Sequence, residues 1–411
     1  MSIPFGFSLP GGDPNDPNAN PLAGLGEMLQ SLGRMLSQSQ GATAVTAAGL
    51  IAAAQGQSGA SIELTAADRS DDGVAGLSAM CAPWVDAATS LAQTEAALAA
   101  WTPSVWINAT AADWARFANP VVGNLSEATM NIARNADLPA EQREQLSSML
   151  QPMQQMMSSL TVAMMQQQLG AAIGKLSKEI LYAGELPMVA PTDAAAVLPA
   201  AVQEWAQGLG IPLDQVMPWI VTREITTHRL ISAAPWVATT IRNAVLAHSS
   251  GLVIDQAKIN EAMSSVDPSN PAAMEELLAS GVLEPAVSPQ QRMALNQLER
   301  LIALVEGWVD VVCDSACAPW VPTAQLNESY RRRRATASPA GQALGTLVGL
   351  ELSPTLVREA TSLWKAVTET HGVEIRDGLW AHPDFLPTTE DLSAPEAFIN
   401  SIGADGLHID E

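Results

Sequence analysis

Pro218-Trp-Ile-Val-Thr-Arg-Glu-Ile-Thr-Thr-His-Arg-Leu-Ile-Ser-Ala-Ala-Pro-Trp236 is the stretch whose reading decides this chain. Its apolar positions recur at helical spacing and predict an α-helix over residues 219–231. On such a helix Arg223 and Thr227 lie four apart on one face. Glu224 sits beside them, and His228 stands four residues beyond Glu224. A second stretch, Leu301-Ile-Ala-Leu-Val-Glu-Gly-Trp-Val-Asp-Val-Val-Cys-Asp314, predicts a helix over 301–313. There Glu306, Asp310, Cys313 and Cys317 fall along one stripe. Two acids and two thiols in an apolar helix are costly to bury without partners. The two helices are therefore expected to pack with Glu224 and Glu306 facing a common pocket.

The spacing in the first stretch has a chemical counterpart. A helix carrying His-Glu-x-x-His binds zinc through its two histidines, and its Glu activates the metal-bound water. Here Arg223 and Thr227 stand at the two histidine positions, Glu224 keeps the base position, and His228 comes one residue late. Arginine is a cation that disfavours a nearby metal, and threonine is a poor zinc ligand.

Composition bounds the alternatives. A net charge of −23 argues against nucleic acid or an anionic membrane surface as a partner, since both need a positive footprint. Three cysteines, Cys81, Cys313 and Cys317, make no disulfide framework and suit a reducing compartment. No basic region followed by an apolar run opens the chain, and the apolar run 42–54 is too short to span a bilayer. A cytoplasmic protein without membrane insertion is expected. Buried, inert thiols are expected for the cysteines, and satisfied or surface positions for His248, His371 and His408.

Along the chain, residues 1–21 are rich in Gly, Pro, Asn and Asp and read as a mobile arm. Residues 22–60 read as an N-terminal helical segment, beginning with an amphipathic helix over 22–36. Residues 61–411 read as one helical domain. Thr65-Ala-Ala-Asp68 has the spacing of a capping box. Alanine is abundant from Val74 onward and no period-2 alternation repeats, so the fold class is mainly α, a multi-helix domain with few or no strands. Ala-Pro-Trp-Val occurs at Ala82, Ala234 and Ala318, and reads as a shared helix-start device. Residues 146–169, dense in Met and Gln, read as a core helix with a polar back. Residues 264–289 read as a loop or two short helices, and a short helix is expected near 395–402.

The chain resembles the actinobacterial zinc-dependent metalloprotease family, a zincin-like group some of whose members are linked to deazaflavin cofactor biosynthesis. The resemblance runs through Pro4-Phe-Gly-Phe7, the Arg223-Glu224 helix ending in Ala-Pro-Trp-Val237, and Val305-Glu-Gly-Trp-Val-Asp310. It continues through Arg331-Arg-Arg-Arg334, Leu347-Val-Gly-Leu-Glu-Leu352, Leu379-Trp-Ala-His-Pro-Asp384 and Leu386-Pro-Thr. It implies a zincin-like helical fold and a site at the Glu224 helix, with Glu306 at the position of a downstream zinc ligand. Of the family's site positions only Glu224 and Glu306 keep usable chemistry.

Three readings follow. In the first the site is catalytically dead and takes no cofactor. Arg223 replaces the metal's charge by pairing with Glu306 or Glu224, in a pocket with Thr227 and Asp310, and the protein serves as a binding or scaffold protein for a protein partner. In the second the chain is an active zinc protease with a shifted ligand set, Glu224, His228 and Glu306. In the third the pocket binds a ligand or partner. Arg331 to Arg334 are expected to anchor to carboxylates.

Overall fold

The computed structural model describes residues 44–57, 71–134, 140–250, 288–335 and 354–403. The expected arm over 1–21, the helix over 22–36, the Thr65 capping box, most of 264–289, the 347–352 motif and His408 lie outside these residues.

The fold is mainly α-helical, as the sequence predicts. Its long elements are α1 (Ala47–Gln57), α2 (Asp71–Ala88), α3 (Pro103–Arg134), α4 (Ala140–Glu179), α5 (Pro199–Leu209), α6 (Leu213–Ala233), α7 (Pro235–Ser250), α8 (Pro289–Cys317), α9 (Thr323–Ala335) and α10 (Pro354–Gly378). Two short helices, α11 (Thr389–Ser393) and α12 (Pro395–Ser401), close the described chain, the latter where a short helix was expected. Two three-residue strands, β1 (Leu98–Ala100) and β2 (Ala195–Val197), pair in parallel, with Ala99 opposite Ala196. None of the described helices is long and apolar enough to cross a membrane.

Helix α6 is buried on nearly every side, from Val216 to Ile231 with the exception of Ile225, which is half-buried. A helix apolar all round belongs inside a protein; this one is instead studded with Arg223, Glu224, His228 and Arg229, so each needs a partner. It packs on α2, α5 and α8, while α8 packs on α7 and α10. The crossing of α8 and α10 is close. A Cβ at Gly307 would lie 2.7 Å from the Thr361 backbone nitrogen and 2.8 Å from the Ala360 carbonyl carbon. Helix α1 seats on α4 in the same way: a Cβ at Gly174 would meet the Ala54 carbonyl oxygen at 2.9 Å.

The three Ala-Pro-Trp-Val copies do not share one role, which corrects the reading of a common helix start. Pro235 opens α7, but Pro83 lies inside α2 and Ala318-Pro319 follows the last turn of α8. The two copies preceded by cysteine instead meet each other. Trp84 and Trp320 stack with centroids 5.5 Å apart and planes 9° from parallel. Cys81 and Cys317 are both fully buried, as expected, and both lie beside Thr222.

Candidate functional site

Residues 219–231 and 301–313 are helical, within α6 and α8. Arg223 is 1% exposed. Its Nη1 donates to Asp310 Oδ1 at 2.7 Å, and its Nε reaches the Tyr182 hydroxyl at 3.5 Å. The guanidinium carbon lies 4.9 Å from the Trp219 ring centroid and 4.5 Å from that of Tyr330. The expected pairing of Arg223 with Glu306 or Glu224 is therefore corrected to Asp310, one turn beyond Glu306 on α8. Glu306 and Glu224 are engaged by other groups. Burial works against the Arg223 charge, but Tyr182 and Asp310 raise the guanidinium well above its ordinary value.

Three of the four arginines of α9 close this site from one side. Arg331 Nη2 lies 2.9 Å from Asp310 Oδ2, so one carboxylate bridges two guanidinium groups. Arg333 pairs with Glu185 at 2.7 Å and Arg334 with Glu306 at 2.5 Å, while Arg332 pairs with the exposed Glu328. The run anchors to carboxylates, as its place in so acidic a chain predicted. Burial pushes the Glu306 carboxyl up, and Arg334 opposes that.

Glu224 is spent on the backbone. Its Oε1 accepts from the Ala196 N–H at 2.8 Å and its Oε2 from the Gly184 N–H at 2.9 Å. One carboxylate thus ties α6 to β2 and to the turn Ala183–Glu185. The approach needs a glycine: a Cβ at Gly184 would lie 2.8 Å from Thr227 Cγ2 and 3.0 Å from Glu224 Oε2. Burial pushes the Glu224 carboxyl up to about 8, with the two N–H donors pulling the other way. Thr227 fills the space against Gly184, and its buried hydroxyl has no hydrogen-bond partner.

His228 faces elsewhere. Its Nδ1 lies 3.1 Å from Thr94 Oγ1, and burial lowers its pKa, with Asp193 opposing. Glu224, His228 and Glu306 are thus each held by a different part of the fold: a strand and turn, the loop before β1, and α9. Among the described residues no group of three or more His, Cys, Asp or Glu side chains is gathered so as to hold a metal ion. The donors present do not fit zinc at positions 223 and 227, since one is a charge-paired guanidinium and the other a hydroxyl wedged on a glycine.

Sequence reasoning missed Tyr182, Tyr330, Gly184 and Ala196. The last two contribute only backbone N–H groups, for which no side-chain pattern exists. It also missed the capping box Ser288-Pro-Gln-Gln291, which starts α8 and carries a readable signature.

The chain belongs to the zincin-like metallopeptidase family, whose model matches residues 43–399. In structure it is similar to a protein of Chloroflexus aurantiacus described as a candidate hydrolase with a novel fold. The TM-score is 0.59 at 15% identity, covering 87% of this chain and 98% of that one. That likeness shows the shared fold. No curated protein matches the chain in sequence.

Proposed function

We propose that this protein is a metallopeptidase-family member whose metal site has become structural, and that it acts as a binding or scaffold protein without peptidase activity. The observation that carries the reading is the fate of the α6 face. A family helix of this kind would offer two imidazoles to a zinc ion and a free carboxylate to its water. Here Arg223 is committed to Asp310 at 2.7 Å, and Glu224 has both oxygens committed to backbone N–H groups. A base must reach the proton it abstracts, and a carboxylate 1% exposed with a main-chain donor held on each oxygen has lost that reach. The permanent charge of Arg223 fills the electrostatic place of a cation, so the acids of α8 stay paired in a buried setting.

Two measurements on one preparation test this. Full-length protein purified without chelator is analysed for bound metal, then assayed on a mixed peptide library with and without added zinc. Substoichiometric zinc and no cleavage above background are expected. Cleavage that chelator removes, zinc restores and Glu224→Gln abolishes would sink the reading.

A further inference from the structure

A cleft of about 530 Å³ opens at the C-terminal half of α6, away from the Arg223 cluster. It is lined by the segment 92–96 that leads into β1, by Thr192 and Asp193 before β2, and by His228 and Ser232. The segment 89–94 is tied down by side chains behind it. Asp377 accepts from the Thr89 hydroxyl at 2.6 Å and from the Ser90 N–H at 2.7 Å. Arg229 reaches the Leu91 carbonyl at 3.5 Å and Asp86 at 2.7 Å, and Asp86 accepts from Gln93. The cleft wall is thus fixed from behind by side chains of α2, α6 and α10.

What the wall presents is of one kind. Its charged residues are Glu95 and Asp193, both exposed, and among the described residues neither takes part in a salt bridge. His228 is 4% exposed, and its Nε2 has no hydrogen-bond partner. His228 Nδ1 lies 3.1 Å from Thr94 Oγ1, and the tautomer that donates there leaves Nε2 as an acceptor. Two carboxylates and this imidazole line one small cavity that no cationic side chain lines. A buried polar atom without a partner is costly and points to a partner that arrives from outside.

We propose that this cleft is a binding site for a small organic cation, an ammonium or guanidinium group held by Asp193 and Glu95 and donating to His228. The site is separate from the Arg223 cluster, so it stands whether or not the protein has peptidase activity. The probe is agmatine, which carries both cationic groups, with butylurea as its neutral counterpart. Full-length protein labelled at histidine ring nitrogens is titrated by NMR. Agmatine is expected to shift the His228 ring signals saturably, butylurea to leave them in place, and the paired exposed-site variant Glu95→Gln with Asp193→Asn to bind agmatine at least about tenfold more weakly. Absence of a saturable shift up to about 10 mM would overturn the proposal. So would equal binding by the variant, which would reduce the effect to counter-ion attraction by an acidic surface.

Discussion

At the scale of single residues, the consequence of burying Arg223 is dependence on its partners. Arg223→Ala leaves Asp310 with only the partly exposed Arg331, and empties the space between Trp219 and Tyr330. A loss of about 3–5 kcal/mol in urea unfolding is expected. Replacing both partners, Arg223→Met with Asp310→Leu, removes charge and counter-charge together and is expected to cost less than the single change. Additive or larger losses in the double variant would show that the pair is not coupled. Glu224 makes a pH-dependent contribution. A carboxyl raised in the folded state from 4.5 to about 8 gives stability that is present at low pH and lost as pH rises through that value. His228, lowered in the folded state, acts in the other direction and only below about pH 6.5. Stability is therefore expected to fall from about pH 4.5 to about pH 8, most clearly above about pH 6.5 where His228 no longer opposes it, and Glu224→Gln to flatten that fall. The variant also costs about 1–3 kcal/mol, because its amide nitrogen must face one of two backbone N–H groups. A slope unchanged by Glu224→Gln would assign the titration to the other raised carboxyls, among them Glu179 and Asp314.

Both site helices could be seen in the sequence, and so could Glu224, Arg223 and Asp310 as residues needing partners, because period and burial cost act locally. The pairing was not legible. Glu306 and Asp310 are one turn apart on the same stripe, so which of them meets Arg223 depends on the axial offset of α6 against α8. That offset is set by tertiary packing. Tyr182 and Tyr330 were invisible for the same reason: they are brought in by a turn and by α9, whose apposition no pattern in either segment encodes.

At the scale of elements, close helix crossings carry the frame around the site. Helix α8 presents Glu306 and Asp310 on one face and Gly307 on another, where the α10 backbone approaches. Gly307→Ala would set a methyl 2.7 Å from the Thr361 nitrogen, so the helices must part. A loss of about 1–3 kcal/mol in denaturant unfolding is expected, although alanine is the better helix former. A stabilised variant would mean that the crossing yields easily. The misread Ala-Pro-Trp-Val copies teach the same lesson. Proline at a helix start is a statistical preference, and Pro83 shows a copy inside a helix, where the chain tolerates it because tertiary contacts hold α2 in place.

At the scale of the whole molecule, the fold class was legible because alanine-rich helical periodicity dominates the chain. The small parallel pair β1 and β2 was not: three-residue strands fall below the length at which alternation can be read. Yet that pair orients the backbone that Glu224 holds, and the cleft lies at its entrance. The stacked Trp84 and Trp320 join the end of α2 to the end of α8, and Trp320 is 61% exposed. Two indoles in face-to-face register couple their electronic transitions, so this pair should give the protein a circular-dichroism couplet of its own. Trp320→Leu should remove this contribution while leaving the helical signal and that of the stacked Trp364 and Trp380 intact. The native difference spectrum would then act as an optical gauge of whether α2 and α8 remain docked, readable during titration or unfolding without any added label.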